Sequence, residues 1–192
     1  MNDIIISNIS KVFGEKTVLS DFSEVIPGGK TTVIMGESGC GKTTLVNIIM
    51  GLEKADSGKI SGSPAKISAV FQDDLLCEDF SAVSNVRAVV GKTLPKEKIL
   101  AFLNCLGLSS ADLSCPVREL SGGMKRRVAI ARATLADSDL IIMDEPFKGL
   151  DEDTRRNVID FVLKETNSRT LILITHDQTE VGLLGADKII KM

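Results

Sequence analysis

No apolar run in this chain of 192 residues approaches the roughly 20 residues that a helix needs to cross a bilayer. One of the longest, Leu45 to Leu52, is already interrupted at Asn47. The first residues, Met1-Asn2-Asp3-Ile4, lack a basic segment leading into a long apolar one, so no secretory signal is expected. Histidine occurs once, and the four cysteines (Cys40, Cys77, Cys105 and Cys115) form no Cys-x-x-Cys pair. A zinc site and a disulfide framework are both disfavoured, and a reducing cytoplasm is the expected compartment. Internal repeats and low-complexity tracts are absent as well; Gly58 to Pro64 is rich in Gly and Ser, but no Pro/Gly/Ser-rich linker flanks the stretch from about 73 to 117. Nor is there an excess of positive charge: 23 Lys and Arg against 26 Asp and Glu leave a net −3 and a pI of about 5.3. Any polyphosphate must therefore be met by a local site, not by the field of the whole chain.

What is present is ordinary globular composition, with 43% apolar and 26% charged residues and a mean hydropathy of +0.16. The length suffices for one domain with a real core, expected to span residues 1–192. Runs rich in Ile and Val alternate with helix-like stretches, which predicts an α/β architecture. Strands are expected at Ile4 to Ile6, Lys16 to Leu19, Thr31 to Met35, Ala65 to Phe71, Leu140 to Met143 and Thr170 to Ile174. Helices are expected from Lys42 to Met50, from Pro95 onward with an apolar face of Ile99, Leu100, Leu103 and Leu106, from Ser121 to about Ala136, and from Thr154 to Glu165. The mostly helical stretch from about 73 to 117 is read as an insertion into the α/β body.

Gly36-Glu37-Ser38-Gly39-Cys40-Gly41-Lys42-Thr43 fits G-x-x-x-x-G-K-[ST] and lies between a predicted strand and a predicted helix. Its glycines let backbone wrap a phosphate in conformations a side chain forbids. Successive N–H groups and the positive end of the following helix then face the anion. Lys42 adds a cation for the β- and γ-phosphates, the Thr43 hydroxyl is a candidate Mg²⁺ ligand, and Thr44 continues the nucleotide-contacting run. By chance the fixed positions would occur in on the order of one per cent of chains this long, given glycine near 7%.

Leu140-Ile141-Ile142-Met143-Asp144-Glu145 is an apolar strand ending in two carboxylates, which belong at the sheet edge where the phosphate loop also emerges. Asp144 suits a Mg²⁺ ligand and Glu145 a base that orients and deprotonates the attacking water. Alone, the segment would read rather as a strand followed by an acidic turn; about a hundred residues after the phosphate loop, the metal-and-base reading is the better one. Leu120-Ser121-Gly122-Gly123-Met124 lies between the two motifs and by itself would be a turn capping a helix.

In this order the motifs resemble those of the ATP-binding cassette (ABC) ATPases, the motor subunits of membrane transporters, over most of the chain from Phe13 to His176. The resemblance implies a P-loop NTPase core with an antiparallel β subdomain, trimmed here, and an inserted helical subdomain. It implies that Gln72 contacts Mg²⁺ and the attacking water, and that Ser121, Gly122 and Gly123 form the signature loop. Gly149-Leu150-Asp151 would be the D-loop, and His176 the switch residue at the γ-phosphate. Phe13 would stack on adenine, although a core phenylalanine is the alternative. Lys42, Gln72, Glu145 and His176 are thus the implied catalytic set. ATP and Mg²⁺ are the implied ligands.

Two cassettes, identical or paired, would close head to tail on two ATP molecules, and hydrolysis would drive separate integral-membrane permease subunits from the cytoplasmic face. Val70 to Leu76, Asn85-Val86 and Asp144 to Phe147 resemble cassettes of the nitrate, sulfonate and taurine import group. The permease would dock near Gln72 and Leu75 to Phe80, where ordinary core packing is the alternative. Met124 stands where the family usually has Gln, which predicts tuning of the signature loop. A cassette acting on nucleic acid or ribosomes, or a binding-only regulatory one, remains the functional alternative. Lys125, Arg126, Arg127 and Arg132 are read as a solvated helix face, since no aromatic interleaves them as nucleic-acid stacking requires, and no nucleic-acid partner is expected.

Overall fold

The structure, a computed structural model, describes residues 1–192. In chain order it contains β1 (Ile4–Phe13), β2 (Lys16–Ile26), β3 (Thr31–Met35), α1 (Lys42–Ile49), β4 (Ser57–Ser61) and β5 (Ile67–Val70). There follow α2 (Ala82–Val90), α3 (Lys96–Cys105), α4 (Ser110–Ser114), α5 (Gly122–Leu135), β6 (Leu140–Asp144), α6 (Glu152–Glu165), β7 (Thr170–Ile174), α7 (Gln178–Leu184) and β8 (Lys188–Lys191). The chain divides into two compact units: Met1–Ile67 with Ser138–Asp144 and Ser168–Met192, and Ser68–Asp137 with Glu145–Asn167.

In the first unit β6, β7, β3 and β8 lie side by side in that order, all parallel. Strands β6 and β7 are buried at every position, which is why they read as unbroken apolar runs and not as alternating ones. A second, antiparallel sheet has the order β2-β1-β4. There one face is wet, so Ile4, Ile6 and Ile9 point inward between exposed neighbours. These side chains pack with Leu45, Ile49, Ile142, Ile172 and Ile174 into one core, which joins both sheets to α1.

The parallel register decides where the chemistry goes. Ile34 pairs with Ile174, and Asp144 pairs with Ile174 from the other side. The carboxyl ends of β3, β6 and β7 therefore meet at one edge, and the residues that follow β3 and β7, together with Asp144, emerge there.

The second unit is helical. Ser81, Ser109, Ser121 and Asp151 cap α2, α4, α5 and α6 through their side chains, and Ser109 with Asp112 forms a reciprocal capping box. Phe102 of α3 meets Phe161 of α6 edge to face at 5.8 Å. Buried Asn85 accepts from the Cys77 amide and donates to the Cys77 and Ser81 carbonyls, fixing the loop before α2.

Several elements differ from the expectation. β1 and β2 are ten and eleven residues long, because register shifts at residues such as Asn8 (φ 53°) let pairing continue past the polar interruptions. The Gly/Ser-rich stretch from Gly58 to Pro64 carries β4, and Gly58 is required there. A Cβ on it would lie 2.5 Å or less from the Asn8 and Ser7 carbonyls of β1. Helix α6 starts at Glu152, two residues before the predicted start, since Asp151 supplies its cap. The final α7 and β8 were too short to show a periodicity.

Candidate active site

The loop from Gly36 to Gly41 joins β3 to α1 in the first unit. Gly39 and Gly41 take φ of 82° and 104°, and a Cβ at Gly41 would meet the Val18 carbonyl at 2.8 Å. Gly41 is thus excluded from carrying a side chain on two independent counts. No side chain caps α1, and its first turn holds no acidic residue, so its leading N–H donors are left for an anion. Glu37, Ser38 and Gly39 are exposed, while Gly36 and Cys40 are half-buried.

Lys42 is buried, and its amine donates to the Gly36 and Glu37 carbonyls at 2.8 and 2.7 Å, with the Cys40 sulfur at 3.6 Å. The cation is therefore held inside the loop. Thr43 is exposed, and its hydroxyl donates to Asp144 Oδ2 at 2.6 Å; Thr44 beside it is half-buried. Asp144 itself is only 7% exposed. Residues 101 positions apart in sequence are thus brought together as a hydroxyl and a carboxylate, hard oxygen donors of the kind Mg²⁺ selects. No cluster of three or more His, Cys, Asp or Glu side chains forms a self-contained cage. The pair fits an ion completed by phosphate oxygens and water.

His176 is exposed and shares a cleft of about 420 Å³ with Met35, Gly36 and Glu37 at the start of the phosphate loop. Its neighbours are pinned. The buried Thr175 hydroxyl accepts from the Asp177 amide at 3.0 Å and donates to buried Glu180, and Asp177 caps α7. Sequence reasoning missed Thr175 and Glu180, whose role shows only once β7 is seen to turn into α7.

Phe13 is 47% exposed, so the core reading fails. The Lys11 amine lies 4.9 Å from its ring centroid, held by Glu53 at 2.7 Å and by the Lys54 carbonyl at 2.8 Å. The hydrogen bond to Glu53 raises the Lys11 pKa, and the same bond holds Glu53 below the usual carboxylate range.

In the second unit Glu145 has φ of 45°, a left-handed conformation uncommon for a residue with a side chain. It sits in the turn that leads to Asp151 and α6, with its carboxylate 3.2 Å from the Lys148 amine. Lys148 is a further partner that the motifs did not name. Ser121 accepts from the Met124 amide, so the capping role is real. Capping does not account for Gly122 and Gly123, however. A Cβ on Gly122 would meet nothing within 4 Å, and one on Gly123 only Leu150 at an ordinary 3.5 Å. Glycine is a poor helix former, and no contact within the subunit requires it at these two positions.

The basic helix face is a correction. It is not a solvated stripe, because its arginines are spent on carbonyl oxygens. Arg126 donates to those of Phe71 and Gln72, Arg132 to those of Asp74 and Leu75, and Arg127 to those of Gly123 and Leu106. Leu75 and Phe80 are 61% and 54% exposed, which rejects core packing for both.

A family model described as ABC transporter matches residues 19–148. The aliphatic sulfonates import ATP-binding protein SsuB 1 of Paracoccus denitrificans is 36% identical over 192 residues, spanning 97% of this chain and 78% of that protein. The taurine import ATP-binding protein TauB of Pelagibacter ubique is 37% identical, spanning 96% of this chain and 77% of that protein. Among solved structures, the dimeric structure of MJ0796, a bacterial ABC transporter cassette, matches with a TM-score of 0.85 at 27% identity, covering 98% of this chain and 94% of that one.

Proposed function

The chain belongs to the ABC transporter family as an ATP-hydrolysing, nucleotide-binding cassette, and from that premise we propose that it powers import through a separate integral-membrane permease. The observation that supports the site most directly is the Thr43–Asp144 hydrogen bond beside the phosphate loop. Lys42 neutralises the β- and γ-phosphates, exchanging its bonds to the loop carbonyls for phosphate oxygens. Thr43, Asp144 and Gln72 would hold Mg²⁺, which would supply positive charge against the charge that develops on the phosphates. Glu145 orients and deprotonates the attacking water, and His176 contacts the γ-phosphate. Gly36 to Thr44 enclose the phosphates, and Phe13 stacks on the adenine.

Residues 1–192 act as one cassette with its helical insertion at about 73–117. Two such cassettes close head to tail, so that Ser121, Gly122 and Gly123 of one meet the ATP of the other; the glycines unexplained within the subunit suit that close approach. No helix is long and apolar enough to cross a membrane, and the cassette sits peripherally on the cytoplasmic face. Exposed Leu75 and Phe80 form the permease-facing patch. One relative above is named for aliphatic sulfonates and the other for taurine, and import of a solute of that kind is the reading carried over.

The magnesium assignment has a direct test. Asp144→Asn keeps an acceptor for Thr43 but removes the charge. It should raise the Mg²⁺ concentration for half-maximal ATPase by about tenfold or more, as losing a carboxylate ligand does. Metal-free ATP binding, followed by equilibrium titration, should change little. An unaltered Mg²⁺ requirement would remove Asp144 from the metal site.

A further inference from the structure

Two arginines of α5 grip one short segment of backbone in the second unit. Arg126 Nη1 donates to the Phe71 carbonyl at 2.7 Å and Nη2 to that of Gln72. Arg132 Nη1 donates to the Leu75 carbonyl at 2.7 Å and Nη2 to that of Asp74 at 2.9 Å. Four of the five carbonyl oxygens from 71 to 75 are thus taken by planar forks that cannot lose their charge. The Asp74 carboxylate forms an ion pair with Arg126 Nε at 3.1 Å. Burial holds the Asp74 pKa up, opposed by the charges of Arg126 and Arg132. The segment has no helix or strand of its own to define it. Leu75 is even driven to φ of 45° while its side chain stays exposed. Such a backbone takes its shape from whatever satisfies its polar groups.

We propose that Arg126 and Arg132 are positioning residues for Gln72, fixing from α5 the backbone that carries its side chain. The same helix begins at Ser121, so the helix whose first turn would meet ATP across a dimer also sets the Gln72 segment. The inference rests on the reading of Gln72 as a catalytic-site group. A fold staple with no bearing on Gln72 is the competing explanation, and the two differ in their coupling to Gln72.

The experiment is a double-mutant cycle on the 192-residue chain with Gln72→Ala, Arg126→Met and the double variant, reading kcat and KM for ATP together with thermal melting. Arg126→Met should lower kcat roughly tenfold, the scale of an outer-shell partner, with KM for ATP within about twofold of the parent. The double variant should be no slower than Gln72→Ala alone, since a positioning residue has nothing left to position. Arg132→Met, carried through the same cycle, should behave alike. Additive losses in kcat, or a KM that rises with the loss, would overturn the inference in favour of a staple. Parental kcat in Arg126→Met beside a slow Gln72→Ala would overturn it outright. Parental kcat in Gln72→Ala would overturn the reading of Gln72 itself, and the inference with it.

Discussion

Glu145→Gln should retain ATP and lose turnover, with steady-state kcat falling by about 10²- to 10⁴-fold, the range a positioned general base contributes. The amide keeps the size and planarity of the carboxylate but cannot take a proton. The left-handed backbone at Glu145 (φ 45°) is independent of side-chain charge, so the turn that leads to α6 should survive the substitution. What changes locally is the contact with Lys148, 3.2 Å away and partly exposed, which as a surface ion pair contributes little to stability. Melting should therefore stay near the parent's. Phosphate release under saturating Mg-ATP checks the prediction, and hydrolysis at the parental rate would move the general base elsewhere.

Lys42→Ala should act one step earlier, on binding. The ammonium is buried and bonded to two loop carbonyls, so it is already desolvated and placed before phosphate arrives. Hydrogen bonds that involve a charged group contribute about 1.5–3 kcal/mol each, so losing the amine should weaken ATP by about tenfold to a hundredfold. Truncation also leaves the Gly36 and Glu37 carbonyls without their donor, which should loosen the loop. Equilibrium titration with a fluorescent ATP analogue is the measurement. Unchanged affinity would mean that the backbone N–H groups alone hold the phosphates.

The phosphate loop, Asp144 and the buried strands β3, β6 and β7 were legible in the sequence because each is locally encoded. Gly39 and Gly41 are needed for their own backbone angles, and the strand runs are apolar because both faces are covered. The Thr43–Asp144 contact was legible only through the parallel topology that aligns strand ends. The arginines were misread for a physical reason. Arg126 and Arg132 are charged residues on a helix, and sequence shows neither the irregular segment beneath them nor the carbonyls it offers to them. Thr175 and Glu180 escaped for the same reason, as their bond spans a turn that no periodicity reveals. Strand β4 was hidden by its glycine, which reads as a loop signal and serves instead a close approach to β1.

In the proposed cycle ATP joins two cassettes, and Gly122 and Gly123, which pack against nothing closer than Leu150 at 3.5 Å, meet a nucleotide held by a partner. Light scattering on the Glu145→Gln protein, with and without Mg-ATP, tests this most directly. The 20.6 kDa chain should be monomeric alone and should double its mass when Mg-ATP is added, returning to monomer when nucleotide is removed. A protein that binds Mg-ATP stoichiometrically and keeps the monomer mass would contradict the account.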